Sequence, residues 1–294
     1  MKVNTQLLSE NVGQQIINRD NINIFDLDRE EIINLFQSYG VLLFRGFENS
    51  VDTFTQFTNS LSKDFLDYTG GLFNRRVING NATILSVNDF QDEIKLHGEM
   101  YYQQNIPLMV WFFCAHPASQ DGETIICDGR QLFNELSSPL KELFTNKKLK
   151  YNLGHLDKEA WQKRYKTDDL RVLEQTCRSN NLIWQINADE SIDLQYICPA
   201  IHPSRCGKYP TFINSLLPVK QAAPNALRFD DDAEITEDIV SELNEVADRI
   251  TTEISWQTGD ILMVDNTRIM HGRRAFSDTQ RDIYLRLCSP GFPF

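Results

Sequence analysis

GDILMVDNTRIMHGRRAFSDTQRDIYLRLC, residues 259–288, is the stretch on which the fold turns. Gly259-Asp260 reads as a turn, and three strand-like runs follow it: ILMVD (261–265), TRIMHG (267–272) and DIYLRLC (282–288). Upstream, TILSVND, PLMVWFFCAHPA, ETIICDG, LIWQI and DLQYICPAI read the same way, as short apolar runs bounded by turn residues. Helical patterns interrupt these runs without alternating with them. Residues 28–40, DREEIINLFQSYG, carry acidic residues in the first turn, an apolar face of Ile32, Ile33, Leu35 and Phe36, and Gly40 where a C-terminal cap belongs. VLLFRGF (41–47) follows as a buried strand, and Asp52 is placed to cap a short helix bearing Phe54, Phe57 and Leu61. Residues 157–180 and 236–250 read as helical insertions. Strands that flank helices in this way exclude a doubly wound parallel sheet. They predict a mainly β fold with appended helices, an antiparallel barrel or jelly roll, with residues 1–294 as one domain.

Composition narrows the function. The chain has 18 Phe, 9 Tyr and 4 Trp, enough to fill a large core of packed strands. Its net charge of −12 repels phosphate backbones, so no nucleic-acid partner is expected. Residues 1–15 lack the basic-then-apolar pattern of a secretory leader, and no apolar run approaches the roughly 20 residues that span a bilayer. A cytoplasmic protein without a membrane partner is expected, and nothing in the sequence points to an oligomeric state. The six cysteines form no C-x-x-C pair and read as free, mostly buried thiols, which leaves no thiolate zinc site. The acidic run FDDDAEITED (229–238) reads as a solvated loop leading into a helix.

Five histidines are present, and one stands out by its neighbours, L-H-G-E-M-Y-Y (96–102). Residues two apart on a strand share a face, so His97 and Glu99 would converge on one point, with Gly98 adding no bulk. An imidazole and a carboxylate supply two-thirds of the facial triad that leaves coordination positions open on Fe(II). His271, near the end of a late strand, can reach across a barrel to complete it. Thr124 in D-G-E-T-I is a candidate hydroxyl. Arg281 and Arg286 follow His271 as candidate carboxylate forks. Tyr101 or Tyr102 is expected to face inward, and Arg75 and Arg76 lie in a loop able to meet an anionic substrate. His116 reads as a structural or surface residue; His155 and His202 could line the mouth of the site, and nothing in the sequence places them there.

These pieces together resemble a family. H-G-E (97–99), G-E-T-I (122–125), D-N-T-R-I-M-H-G-R-R-A-F (265–276) with later arginines, and Y-G-V-L-L-F-R-G-F (39–47) are similar to the taurine dioxygenase and clavaminate synthase-like family, from about residue 25 to the end. The resemblance implies a double-stranded β-helix. It implies Fe(II), 2-oxoglutarate and O2 as cofactor and co-substrates, and succinate and CO2 as co-products. His97, Glu99 and His271 would then hold the iron, and Thr124 would help bind 2-oxoglutarate. Many relatives carry two inward arginines four apart on the last strand. Arg286 fits the second of these places, Asp282 occupies the first, and Arg281 is displaced by one onto the opposite face unless a bulge intervenes. Arg286 is therefore the first expectation for the 2-oxoglutarate anchor and Arg281 the second. Glu99, where most relatives have Asp, matches the clavaminate synthase-like branch. It tilts the expected substrate toward an amino acid or natural-product intermediate, to be hydroxylated, desaturated or cyclised. Two other classes fit the same residues. One is a zinc-type hydrolase, which leaves Thr124 and the arginines without a role. The other is a β-barrel binding protein whose His/Glu motif is structural.

Overall fold

A computed structural model describes residues 4–67, 75–88, 90–205 and 207–293. Two sheets face each other. The larger has strand order Thr5–Leu7, Gln14–Ile17, Val41–Arg45, Ile261–Asp265, Met109–His116, Asp282–Pro290, Asn81–Ser86 and Val77–Ile78, with Ser62–Lys63 pairing beside Asp282–Pro290. The smaller has Thr252–Ile254, Thr124–Asp128, Ile269–Arg273 and Ile94–His97. Strands distant in sequence are neighbours in both, and every pairing is antiparallel except that of Gln14–Ile17 with Val41–Arg45. The architecture is the mainly β fold with appended helices that the strand pattern predicts, and of the barrel and the jelly roll it is the jelly roll, the double-stranded β-helix that the resemblance implies.

Period-two alternation divides the apolar residues between the faces. Val41, Leu43, Val110, Phe112, Leu262, Val264, Ile283, Leu285 and Leu287 point from the larger sheet into the sandwich, where they meet Ile126, Ile254 and Ile269 of the smaller. Their neighbours Leu42, Phe44, Met109, Trp111, Phe113, Ile261, Met263, Tyr284 and Cys288 point outward. Ile32, Ile33 and Phe36 of the helix Arg29–Tyr39, with Phe54, Phe57 and Leu61 of the helix Val51–Leu61, cover that outer face. The first helix starts and stops as its sequence dictates. Asp28 accepts from the backbone N–H groups of Glu30 and Glu31, and Gly40 closes it at φ 74°. The second is capped by Ser50, whose side chain accepts from Thr53 N–H, while Asp52 lies within the first turn.

Between Asp128 and Thr252 the chain builds a second layer over the outer face of the smaller sheet. A four-stranded sheet, Leu182–Ile186, Ile192–Pro199, Lys148–Leu156 and Leu227–Phe229, and the helices around it bury Leu96, Ile125, Cys127 and Met270. The helical stretch expected over 157–180 is two helices, Lys158–Tyr165 and Leu170–Ser179, parted where Lys166 takes a left-handed φ of 53°. The later insertion is the helix Glu237–Ile250, preceded by an acidic loop in which Asp231 pairs with Lys147 at 2.6 Å. Cys114, Cys127, Cys177, Cys198 and Cys288 are free and buried; Cys206 lies outside the described residues. Among the described residues no helix is long and apolar enough to cross a membrane.

The outer helix should hold the larger sheet through packing more than through its cap. Phe36 is fully buried and meets Phe292 edge-on at 6.2 Å. Urea unfolding of Phe36→Ala should show a loss of about 3–5 kcal/mol, against about 1 kcal/mol for Asp28→Ala. A smaller loss for Phe36→Ala than for Asp28→Ala would contradict this account of the layer.

Candidate metal centre and active site

The smaller sheet sets two histidines side by side. In its register His271 on Ile269–Arg273 is the direct partner of His97 on Ile94–His97, and the ring centroids are 4.5 Å apart. The close approach depends on Gly272, because a Cβ there would stand 2.4 Å from the carbonyl oxygen of Ile94. His97 Nδ1 donates to the Lys95 carbonyl at 2.9 Å, which leaves the Nε2 lone pair facing the centre.

Glu99 arrives differently from the expectation. The strand ends at His97, and Gly98 and Glu99 lie in the turn that follows. That turn is pinned group by group. Gly98 N–H donates to Asn214 O at 2.9 Å, and Gly98 O accepts from Ser215 Oγ at 3.0 Å. Glu99 N–H donates to Asn266 Oδ1 at 2.8 Å, and Glu99 O accepts from Asn266 Nδ2 at 3.1 Å. Gly98 is required here, since a Cβ would lie 2.4 Å from the Tyr101 ring and 2.8 Å from Ile213. The result brings Glu99 Oε2 to 3.4 Å from His271 Nε2 and 3.9 Å from His97 Nε2. One ligand atom from each of the three residues falls within 4.8 Å of the others.

The donor set fits a divalent ion. An ion about 2.1 Å from two donors at right angles holds them about 3 Å apart, so small side-chain rotations bring all three onto it. Protonation also fits. Burial and the neighbouring His271 push His97 down to about 4, so its imidazole is neutral at neutral pH. Burial alone would raise Glu99, but the hydrogen bond from His271 and the charges of Arg75 and His97 outweigh it and bring the carboxyl to about 2. A neutral His97 imidazole and a Glu99 carboxylate anion are the forms in which these two groups bind metal.

The centre opens into a cavity of about 530 Å³. Thr124 lines it, and its hydroxyl accepts from Trp256 Nε1 at 3.0 Å. Arg281 lines it too, with Nε donating to Gly122 O at 3.1 Å and Nη1 to Asn88 Oδ1 at 2.8 Å. Phe276 lies between Arg281 and Arg273, its ring centroid 4.9 Å and 4.8 Å from the two guanidinium carbons. Burial and the nearby Arg273 lower Arg281 to about 10, which leaves it charged. Tyr102 and Arg75 also line the cavity, whereas Tyr101 is core, its hydroxyl donating to Asn266 O at 3.0 Å. His116 and His155 are exposed, and His202 packs edge-on against Tyr101 at 5.1 Å.

Arg286 is not where the sequence reading put it. Ile283, Leu285 and Leu287 point inward and Tyr284 and Cys288 outward, so alternation sends Arg286 to the outer face. There it donates to Thr55 O at 3.2 Å, Asn59 Oδ1 at 3.0 Å and Thr83 Oγ1 at 3.0 Å, bonds Thr58 Oγ1, and lies 3.6 Å over the Phe65 ring. The same parity puts Arg281 inward with no bulge needed, although a register shift against Met109–His116 does fall between Asp282 and Ile283. Sequence reasoning also missed Asn266, Trp256 and Phe276. A buried Asn between two strands and an aromatic after paired arginines were the available signals.

Two imidazoles and a carboxylate inside a jelly roll belong to the mononuclear metal oxygenases of the double-stranded β-helix type. Residues 4–288 match the family described as taurine catabolism dioxygenase TauD, TfdA family, and the chain belongs to that family. It is therefore a dioxygenase, and the hydrolase and binding-protein alternatives fall away. Dapdiamide synthesis protein DdaC of Enterobacter agglomerans is 25% identical over 284 residues, covering 89% of this chain and 86% of the relative. A clavaminate synthase-like protein of Arabidopsis thaliana is 25% identical over 278 residues, covering 87% and 83%. Among solved structures, PvcB of Pseudomonas aeruginosa, described as an Fe, alpha-ketoglutarate dependent oxygenase from an isonitrile synthetic pathway, shares the fold. Its TM-score is 0.63 at 14% identity, over 95% of this chain and 86% of that one.

Asn266 gives a test of how Glu99 is positioned. Asn266→Ala leaves both backbone groups of Glu99 without their partner, and metal affinity, measured by competition with a chelator, should fall about 10- to 100-fold. Unchanged affinity would mean that Glu99 is held by something other than Asn266.

Proposed function

We propose that the protein is an Fe(II)- and 2-oxoglutarate-dependent oxygenase of a small molecule, with His97, Glu99 and His271 holding the iron. The observation that carries this reading is the single cluster that these three side chains form at the base of a lined cavity. When bound, iron supplies the oxygen-activating chemistry that couples conversion of 2-oxoglutarate and O2 to succinate and CO2 with oxidation of the substrate. The chain's own residues bind, orient and shield. Arg281 takes the far carboxylate of 2-oxoglutarate, its fork held in place by Gly122 and Asn88 and its face against Phe276. Thr124 donates a hydrogen bond to the same molecule. The Trp256 indole is donor-only, so it fills an acceptor site on Oγ1 and leaves the hydroxyl proton free to point at an anion. Phe112 and Leu285 line the cavity beside the centre and exclude water. The whole chain serves as one catalytic domain, in the cytoplasm and without a nucleic-acid partner. Its substrate is an amino acid, a derivative or a natural-product intermediate. The relatives named for dapdiamide synthesis and for likeness to clavaminate synthase support that choice.

Three variants separate the roles in the 2-oxoglutarate site. Titration of the Fe(II) protein under anaerobic conditions should show a visible charge-transfer band. Arg281→Ala should weaken 2-oxoglutarate binding by on the order of 2–5 kcal/mol, and Trp256→Phe by about 1 kcal/mol, or roughly fivefold. Arg286→Ala should lower the melting temperature and leave the titration unchanged. A larger binding loss for Arg286→Ala than for Arg281→Ala would return the anchor to the outer face.

The carboxylate ligand fixes the product class. Glu99 fills the coordination position that a halide would need, so the wild-type product should be oxygenated, desaturated or cyclised. Mass spectrometry with and without chloride should find no chlorinated product. Glu99→Ala should lose most coupled succinate release even where some iron remains on the two histidines. Full turnover in that variant would show that Glu99 is not a ligand.

A further inference from the structure

We propose that Asn88 is a positioning residue for the co-substrate anchor, and that it works by insulation. Its amide stands between Arg281 and Asp282 and keeps the two charges from pairing, which leaves the Arg281 guanidinium to the far carboxylate of 2-oxoglutarate. This rests on the iron- and 2-oxoglutarate-dependent reading of the site.

Arg281 and Asp282 are consecutive in the chain, and a direct pair between them would compete with any ligand for the same cation. Nothing about the space around them prevents it. Both face a second polar hollow, of about 280 Å³, together with Arg76, Ser86, Asn88 and Gln280. Arg281 also lines the active-site cavity, so its guanidinium belongs to the wall between the two spaces. Asp282 nonetheless pairs with Arg76, not with Arg281. Asn88 is interposed. Its Oδ1 accepts from Arg281 Nη1 at 2.8 Å, while its Nδ2 donates to Asp282 Oδ1 at 2.7 Å and to Ser86 Oγ at 2.9 Å. Asp282 is drawn the other way by Arg76 Nη2 at 3.1 Å and by the Tyr284 hydroxyl, which donates to Oδ2 at 2.7 Å. Burial and Arg273 lower Arg281 to about 10, and Asp282 is near enough to act on it in the opposite direction.

The chain path puts Asn88 at this point. Beyond the strand Asn81–Ser86, Val87 N–H donates to Ile283 O at 3.0 Å and carries the pairing one step further. The ladder between Asp282–Pro290 and Met109–His116 shifts register between Asp282 and Ile283. At that shift Asn88 Oδ1 accepts from Ile283 N–H at 3.2 Å. A backbone donor thus fixes which way the amide points, oxygen toward Ile283 and Arg281 and NH2 toward Asp282. The position calls for a short, uncharged side chain with both an acceptor and a donor. Aspartate has the same shape but would itself pair with Arg281. Alanine would leave Arg281 and Asp282 facing one hollow with no group between them. The other brace on Arg281 is the Gly122 carbonyl at 3.1 Å, which is also neutral, so neither brace cancels the guanidinium charge. In a partly desolvated wall an uncancelled charge is worth far more to a dicarboxylate than one already paired.

The experiment uses wild type, Asn88→Ala, Asn88→Asp, Asp282→Asn and the double variant Asn88→Ala/Asp282→Asn, each loaded anaerobically with Fe(II) and checked for folding by thermal melting. Two keto acids are titrated, with the visible charge-transfer band as the readout. 2-Oxoglutarate carries the far carboxylate; 2-oxopentanoate chelates through the same end and has a methyl group in its place. Asn88→Ala should bind 2-oxoglutarate about 30-fold more weakly than wild type, as expected where a charge-assisted pair is lost to a competing anion. Asn88→Asp should show a loss of the same order, and it decides the matter where Asn88→Ala fails to fold. Asp282→Asn should bind as wild type does. The double variant should return to within about fivefold of wild type, because the anion that captures Arg281 is gone. All the variants should bind 2-oxopentanoate as wild type does. Unchanged 2-oxoglutarate affinity in Asn88→Ala or in Asn88→Asp overturns the proposal. A double variant no better than Asn88→Ala overturns it too, since Asn88 is then a brace alone. So does an equal loss for both keto acids, which is what a merely structural role would give. Failure of the underlying reading looks different, because wild type would then show no band with either keto acid.

Discussion

The pairing of His97 with His271 across two strands of the smaller sheet is the constraint on which the site depends. A register slip of one residue would turn one imidazole into the outer core and the other away from Glu99. The register is locked from several sides. Gly272 lets the Ile94 carbonyl approach, and Arg273 beyond it staples Val87 and Asp92. On the other flank Ile269–Arg273 is hydrogen-bonded to Thr124–Asp128, so that Arg273 stands opposite Thr124. The His97–His271 pair and the Thr124 hydroxyl thus belong to one hydrogen-bonded ladder. A shift in either strand pair would disturb both functions together.

Glu99 lies outside that ladder, and the fold treats it accordingly. Its backbone is held by Asn266, which sits in the turn between the strand Ile261–Asp265 of one sheet and Ile269–Arg273 of the other. Asn266 Nδ2 also donates to Pro107 O at 2.7 Å, and the residue is fully buried. The crossover between the sheets therefore carries the side chain that fixes Glu99. A buried amide with its groups satisfied costs little, whereas one with a missing partner costs about 1–3 kcal/mol. That asymmetry makes the turn geometry strongly preferred over alternatives.

Periodicity made most of the layer structure legible. Acidic residues before an apolar stripe and a glycine after it located the first helix, and short apolar runs located the strands. What escaped the sequence depended on three-dimensional partners. Ser50 and Asp52 are both good caps, and only the chain path selects Ser50. The break at Lys166 has no glycine or proline to announce it. His97 and Glu99 were found by an alternation rule, yet Glu99 converges through a pinned turn and not through strand geometry. The arginine ranking failed on parity. Placing Arg286 inward requires Ile283, Leu285 and Leu287 to face outward, and three aliphatics in a row of alternate positions argue for the reverse.

The same parity explains how one strand serves two ends. On Asp282–Pro290 the inward residues make cavity wall, with Leu285 facing the centre and Arg281 just ahead of the first of them. The outward residues fasten the covering helix, and Arg286 does so as a buried cation without a carboxylate partner among its hydrogen bonds. Burial lowers it to about 10, so it remains charged, and neutral oxygens from Thr55, Thr58, Asn59 and Thr83 with the face of Phe65 compensate. Both terminal nitrogens of this guanidinium are thus tied down on the outer face, away from the cavity. Arg273, tied to two carbonyls, is in a similar condition inside the cavity. An arginine's role in this fold is therefore set by how much of its fork the backbone already holds, and counting arginines after the second histidine does not reveal it.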